Sequence, residues 1–420
     1  MWWDERSCST NARKSPPPSL ETLKAVVDLD CDYTRELVLA SFSRRPEWKV
    51  ASRSFSDFEH SFDEQIPCAR DDRFLWSEYE RIDWSAVDEG NIWASCYCIR
   101  KGLIRKAHLA HNMKKWAAKR PNGWIAKSVP ESYIMDVDDP EYLEEALCEI
   151  PEVRDMKEGS EIWIAKPSIT NQGLSICVFD RVSTLAKAVE AAEDMREWVV
   201  QRYIHPPLLL HDRKFHLRAY ALCVGSLTVY VFSEVLVLSA GSKYDSKLGD
   251  LENLGSHLTN TCRQTEAEEN STSDEKDVVH LLSELPKELA RDGHISEGEA
   301  AGKVENLSKA INEIIGECFE AVSGELTFFT LPNCFELFGF DLMVDADWKC
   351  WLLEANAEPD FRQTGSRLKP IIQGLVERTL DIVLDPISVK EGLLKGNEKR
   401  ASIGRGEWQK VFQTQQRRPF

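Results

Sequence analysis

CFELFGFDLMVDADWKCWLLEANAEP, residues Cys334–Pro359, is the stretch whose reading decides the fold. Two runs rich in Phe, Leu, Met, Val and Trp, 335–344 and 349–356, flank the polar segment Asp345–Trp348, the pattern of a β-hairpin. Side chains alternate across a strand, so Glu354 and Asn356 share one face. A turn centred between Asp347 and Trp348 sets Asp341 opposite Glu354. Three oxygen-bearing side chains then converge, the hard-oxygen set that Mg²⁺ takes while phosphate and water complete its shell. An edge hairpin with a merely solvated polar face fits the same pattern.

Cations upstream narrow the choice. Lys166 ends the apolar run Ile162–Ala165 and precedes Pro167–Ser168 and the loop Ile169–Gly173. A lysine at a strand end beside such a loop can set its ammonium against phosphates. In RKFHLRAY, Arg213–Tyr220, Lys214 and Arg218 share one face of an expected strand, where apolar residues are the rule; that points to a bound anion. Lys106, in LIRKAHLA, is ambiguous alone. The apolar strand and Pro-turn Val199–Leu210 suit a bridge between lobes that presents backbone groups to an adenine ring. His257-Leu258-Thr259-Asn260 follows a Gly255–Ser256 turn with no Ser or Cys nucleophile paired to a base nearby. Neither common glycine fingerprint for nucleotides occurs, and the histidines lack zinc spacing.

Outward from these motifs, the chain divides into segments. Residues 1–20 are polar, Pro-rich and aperiodic, hence expected to be disordered. Residues 21–95 open with a buried-strand run, Leu23–Asp30, and a helix with Asp32 as its cap. A strand at Trp48–Ala51 completes a small α/β lobe. A central lobe over 96–200 and a C-terminal lobe over 201–385 follow. In the latter, Lys214–Val224 and Leu227–Leu238 read as neighbouring antiparallel strands, and Val304–Val322 as an amphipathic helix. An acidic insertion over about 264–305 is expected to be partly disordered, and 386–420 reads as a basic, polar tail.

Composition sets outer bounds. The 420 residues are 42% apolar and 29% charged, as in globular proteins, with a formal charge of −18 that argues against nonspecific nucleic-acid binding. Twelve acidic and four basic residues fall between Glu266 and Glu305, so much of that charge sits in one segment. The start lacks an apolar core of signal-peptide length, and the apolar stretch Tyr220–Ala240 reads as strands rather than a membrane span. Twelve cysteines without a C-x-x-C read as free thiols of a cytoplasmic protein.

Taken in order, LIRKAHLA, IWIAKPS, QRYIHPPLLL, RKFHLRAY, HLTN and CFELFGFDLMVD…WLLEAN resemble the tubulin–tyrosine ligase-like family, over about 96–359. The resemblance implies an α/β, ATP-grasp fold, with a small α/β N-terminal lobe and with ATP held between the central lobe and a C-terminal antiparallel-sheet lobe. It implies that Lys106, Lys166 and Lys214 contact phosphates or ribose. Gln201, Arg202, Tyr203 and Ile204 would line the adenine side, with His216 and Asn260 nearby. Asp341, Glu354 and Asn356 would hold Mg²⁺, and Arg218 would face the acceptor carboxylate or the phosphoryl in transfer, catalysis falling to Arg218, Lys166 and Glu354. The implied reaction activates a carboxylate as an acylphosphate, which the amine of a free amino acid displaces. Tyrosine is the default amino acid and the acidic tail of alpha-tubulin the default acceptor, with neither nucleic acid nor membrane as partner.

Three departures mark this chain. His216 replaces the Asp of RKFD, Gly173-Leu174-Ser175 replaces Gly-x-Gly, and Leu238 stands where tyrosinating members carry an Arg that helps hold the acceptor tail. The last favours a different amino acid, such as glutamate or glycine, or a different acceptor. The first two leave room for a nucleotide-binding scaffold of weak activity. The Asp341/Glu354/Asn356 set argues for an enzyme.

Overall fold

The computed structural model describes residues 22–53, 72–169, 175–192, 194–245, 251, 254–259, 279–293, 295–362, 365–395 and 406–414. Residues 1–20, Asn260 and residues 264–278 of the acidic segment lie outside the described residues.

The run Leu23–Asp28 (β1) pairs in parallel with Trp48–Arg53 (β2) and Asp72–Ser77 (β3), and Trp93–Ala94 (β4) extends the sheet. Parallel strands covered on both faces read as continuous apolar runs, which is why Leu23–Asp28 was legible. The helix Asp32–Phe42 buries Leu37, Val38 and Phe42 against this sheet. Asp32 is not its cap: the N-cap is Cys31, and Asp32 opens the first turn and pairs with Arg35.

A second sheet joins Ser132–Asp136 (β5), Trp163–Pro167 (β6), Cys177–Phe179 (β7) and Glu197–Arg202 (β8) in the order β5-β8-β6-β7, antiparallel throughout. Its outer face packs Trp163, Phe179 and Trp198 against Leu185 and Val189 of the helix Val182–Glu190.

The third sheet has eight strands. Leu209–Leu210 (β9), Arg213–Val224 (β10), Thr228–Phe232 (β11), Leu236–Ser239 (β12), Val279–Leu281 (β13), Phe335–Val344 (β14), Cys350–Ala357 (β15) and Trp408–Gln413 (β16) are antiparallel around the long β10. On one side β10 pairs with β14, and on the other with β11 and β12 in succession. The expected single strand Leu227–Leu238 is therefore broken: Ala221 faces Val231 but Arg218 faces Leu236, two residues of excess taken up around Ser233–Glu234. The helix Glu297–Val322 covers one face through Leu307, Ile311, Ile314 and Phe319. On the other face, the helix Gly365–Lys390 and the first sheet cover the end bearing Tyr220, Leu222, Phe335 and Leu337.

One sequence expectation is corrected and another is narrowed. The described half of the acidic segment is ordered: it forms β13, the helix Leu285–Arg291 and the first turns of Glu297–Val322. Its charges occupy solvated helix faces while Leu285, Leu289, Ala300 and Val304 are buried. The segment read as a tail contributes β16, which pairs with β11 and sets Trp408 against Phe232 at 5.0 Å. Among the described residues, no helix is long and apolar enough to cross a membrane.

Candidate active site

Alternation along β10 places Lys214, His216 and Arg218 on one face, and all three are buried. Register puts Arg218 opposite Asp341 on β14, and Asp341 opposite Glu354 on β15. That last pairing arises from two features the sequence did not show. Val344 faces Cys350 and Leu342 faces Leu352, so the turn centres on Asp347, and a plain ladder would set Leu353 opposite Asp341. A one-residue bulge at that point carries Leu353 past and brings Glu354 into place. Without it Glu354 and Asn356 would turn to the core face beside Phe338 and Phe340.

The second sheet faces this charged array. Lys166, at the end of β6, donates to Gln201 Oε1 at 2.9 Å, and Gln201 Nε2 donates to Ser132 Oγ at 2.9 Å. Lys214 Nζ donates to Tyr203 Oη at 2.8 Å and lies 4.2 Å from the centre of that ring. Lys106 opens the helix Lys106–Lys119, with Nζ 3.7 Å from Glu354 Oε2. Three lysines from three elements thus converge on a cleft of about 840 Å³, counted to its open mouth.

Eleven of the residues singled out by sequence line this cleft: Lys106, Lys166, Gln201, Arg202, Tyr203, Ile204, Lys214, His216, Asp341, Glu354 and Asn356. Two behave differently from the expectation. The Arg202 guanidinium turns to Glu131 and Glu161 and stacks on Trp163, so its charge is engaged outside the cleft. Arg218 stands behind the wall and donates through Nε and Nη2 to the two oxygens of Asp341. Sequence reasoning passed over His257 and Thr259, although it had singled out their motif. Tyr203 Oη lies 2.9 Å from His257 Nδ1, and Thr259 Oγ1 pairs with His216 Nδ1. Ile164, Ile176, Leu258, Met343 and Leu353 supply apolar wall. Leu238, opposite His216 on β12, is buried in the apolar cluster beside the cleft.

Electrostatics follow from burial. Desolvation lowers Lys166 to about 8 and Lys214 to about 7, so both sit poised between charge states. Burial also lowers His216, against the attraction of Asp341. Its Nε2 is buried, lies 3.8 Å from Asp341 Oδ1 and has no hydrogen-bond partner among the described residues, on the wall of the cleft. Burial works against the Glu354 carboxylate, but Lys106 and Lys166 hold it below the usual range. Burial likewise opposes the charge of Arg218, and Asp341 more than restores it. Ser175, in the place of the implied second glycine, has φ 56°, the left-handed backbone that glycine adopts without strain.

The donor set suits a hard divalent cation. A carboxylate offers about four lone-pair sites, so Asp341 keeps acceptor capacity beside Arg218, and Glu354 presents a second carboxylate. Asn356 donates its amide to Asp341 at 3.4 Å and to Glu354 at 3.3 Å, and so clasps the pair. Its oxygen would join the set only after the amide turns over.

Comparison with known proteins agrees with this geometry. The C-terminal domain of K. lactis Pby1, described as an ATP-grasp enzyme interacting with the mRNA decapping enzyme Dcp2, superposes with a TM-score of 0.65 at 29% identity, covering 94% of this chain and 99% of that one. With its cleft held between two antiparallel sheets, this chain is an ATP-grasp enzyme, an ATP-dependent ligase. Residues 91–391 match the tubulin-tyrosine ligase family, and the chain belongs to that family. A probable tubulin–tyrosine ligase of Schizosaccharomyces pombe is 33% identical over 76% of this chain and 84% of its own length. The probable tubulin–tyrosine ligase PBY1 of Saccharomyces cerevisiae is 32% identical over 75% of this chain and 46% of its own length.

Proposed function

We propose that the chain uses Mg·ATP to join a free amino acid, tyrosine by default, to the acidic C-terminal tail of a protein, alpha-tubulin by default. The observation that carries this reading is the meeting of Lys106, Lys166 and Lys214 with Asp341 and Glu354 in one buried cleft. Phosphoryl transfer depends mainly on positioning and charge neutralisation, and this array provides both. Lys166 and Lys214 would orient the polyphosphate, with the second held through Tyr203 and the first through Gln201. Mg²⁺, held by Asp341, Glu354 and Asn356, would supply neutralisation of the phosphate charge. Arg218, tied to Asp341, would fix that carboxylate and lie close to the acceptor.

In the reaction the acceptor carboxylate takes the γ-phosphoryl and ADP departs. The amino acid's amine then forms the C–N bond as the bond from carbonyl carbon to phosphate oxygen breaks, releasing phosphate and a proton. An acidic acceptor is supported by charge: residues 99–128 hold nine Lys or Arg and no Asp or Glu, and this stretch includes Lys106 of the cleft. The names of the S. pombe and S. cerevisiae relatives support tyrosine and tubulin. On this reading the protein would work in the cytoplasm, with its substrates.

The test is ADP release by the purified chain with Mg·ATP, single amino acids and synthetic acidic tails. Release that needs both tyrosine and the alpha-tubulin tail is expected. Release with glycine or glutamate in place of tyrosine would overturn the amino acid, and release with other acidic tails alone would overturn the acceptor.

A further inference from the structure

Of the three cleft-face residues of β10, Lys214 and Arg218 have tasks in the ligase reaction proposed above, and His216, between them, has none. It is 3% exposed. Across β12 it faces Leu238, which offers no polar group, and the ladder to β14 begins one residue later, at Leu217. Its two ring nitrogens are placed differently. Nδ1 pairs with Thr259 Oγ1. Nε2 is buried with no hydrogen-bond partner among the described residues, although buried polar atoms are rarely left so.

Asp341 Oδ1 lies 3.8 Å from Nε2, too far for a hydrogen bond. It is within reach through a metal ion, since two donors each about 2.1 Å from one ion lie up to roughly 4.2 Å apart. A hydroxyl accepts as well as donates. With Nδ1–H donating to Thr259 Oγ1, Nε2 carries a bare lone pair beside Asp341 on the wall of the cleft. Metal-binding imidazoles are held in this way, the far N–H fixed by a hydrogen bond. The oxygen donors leave room for such a ligand. Arg218 donates to both oxygens of Asp341, and Asn356 directs its amide hydrogens, not its oxygen, to Asp341 and Glu354. His216 adds a donor beside Asp341 with no side chain turning over.

We infer that His216 Nε2 is a ligand of the divalent cation held at Asp341, and that this site takes Mn²⁺ in preference to Mg²⁺. The inference rests on the ligase reading above for the presence of a cation, and goes beyond it in naming the nitrogen ligand and the ion. Mg²⁺ demands oxygen and gives up water reluctantly, whereas imidazole nitrogen favours transition metals. Lys214 and Arg218, on either side of His216, repel a bare ion, so the cation is expected to enter with the polyphosphate.

The test is electron spin-echo spectroscopy of the full chain loaded with Mn²⁺ and ADP, with its histidines unlabelled or labelled with ¹⁵N. The unlabelled protein is expected to show a directly bound ¹⁴N that labelling turns to ¹⁵N, which separates the imidazole from the nitrogens of the nucleotide and needs no variant. His216→Asn keeps an amide for Thr259 while removing Nε2, and should abolish the signal. In calorimetry with ADP, the ratio of Mn²⁺ to Mg²⁺ affinity should fall roughly tenfold or more in His216→Asn and in His216→Asp. Bound Mn²⁺ without a histidine nitrogen overturns the inference and leaves the ligase reading standing. A histidine signal that survives in His216→Asn, an affinity ratio that does not move, or tighter binding of Mg²⁺ than Mn²⁺ by the wild type has the same consequence. Protein that binds ADP with neither ion overturns both. Mn²⁺ held by histidine in a protein that releases no ADP with any amino acid and acidic tail upholds the ligand and overturns that reading.

Discussion

Along β10 one sheet face carries Lys214, His216 and Arg218 over its first half and Tyr220 and Leu222 over its second, and every one of them is buried. The second half meets Phe335, Leu337, the first sheet and the helix Gly365–Lys390, and packs as core. The first half meets a cleft. Its lysines are lowered by desolvation, His216 has a nitrogen with no hydrogen-bond partner among the described residues, and Arg218 is neutralised by one buried carboxylate. Buried charge of this kind contributes little to stability, because desolvation offsets the attraction. The two halves teach a division of labour within a single strand: the apolar half fixes the register, and that register holds the charged half where no hydrophobic gain would place it.

The largest effect expected is at the junction. Arg218→Ala leaves Asp341 buried and unpaired and should cost about 3–5 kcal/mol of stability in urea unfolding. Replacing both partners, Arg218→Met with Asp341→Leu, should recover most of that stability while ATP turnover stays absent. A stable Arg218→Ala protein would break the comparison outright. Leu222→Ala, in the apolar half, should lose about 2–5 kcal/mol yet keep wild-type turnover per folded molecule. If turnover fell among molecules shown to be folded, the halves would not be separable. Glu354→Gln sharpens the contrast from the other side: unfolding should scarcely move, while Mg·ATP turnover drops by about 10²–10³.

Sequence showed the hairpin because alternation is local, and it showed the cations of β10 because charge within an apolar run stands out. It did not show why Glu354 faces Asp341, since a single extra residue at Leu353 reverses which side chains share a face, and no local signal marks it. His257 and Thr259 were flagged without a role because their partners, Tyr203 and His216, lie 54 and 43 residues away. The strand Trp408–Gln413 is short and half polar, and only β11, far away in the chain, makes it a strand. In the acidic segment the described residues, from Val279 on, carry few apolar side chains among many charges, and these are spaced to cover a sheet and a helix, a long-range fit that composition does not reveal.

The remaining test separates the halves by pH. Lys214 at about 7 and Lys166 at about 8 both lie below the ordinary lysine value of about 10.4. Between these limits the unfolded chain binds more protons than the folded one, so these two groups make the ligand-free protein more stable as pH rises. Bound polyphosphate favours the ammonium forms and raises both values, so binding takes up protons wherever a lysine begins neutral. Affinity for Mg·ATP should therefore fall as pH rises from about 7 to about 9, by up to roughly tenfold per pH unit for each lysine, and level off below about 6. Calorimetry in two buffers of different ionisation enthalpy measures the uptake directly, and Lys214→Met and Lys166→Met should each remove its own share. Leu222→Ala should shift stability at every pH and leave this slope alone. An affinity flat from about pH 6 to about 9 would mean that the lysines do not meet the phosphates, and the charged half of β10 would need another ligand.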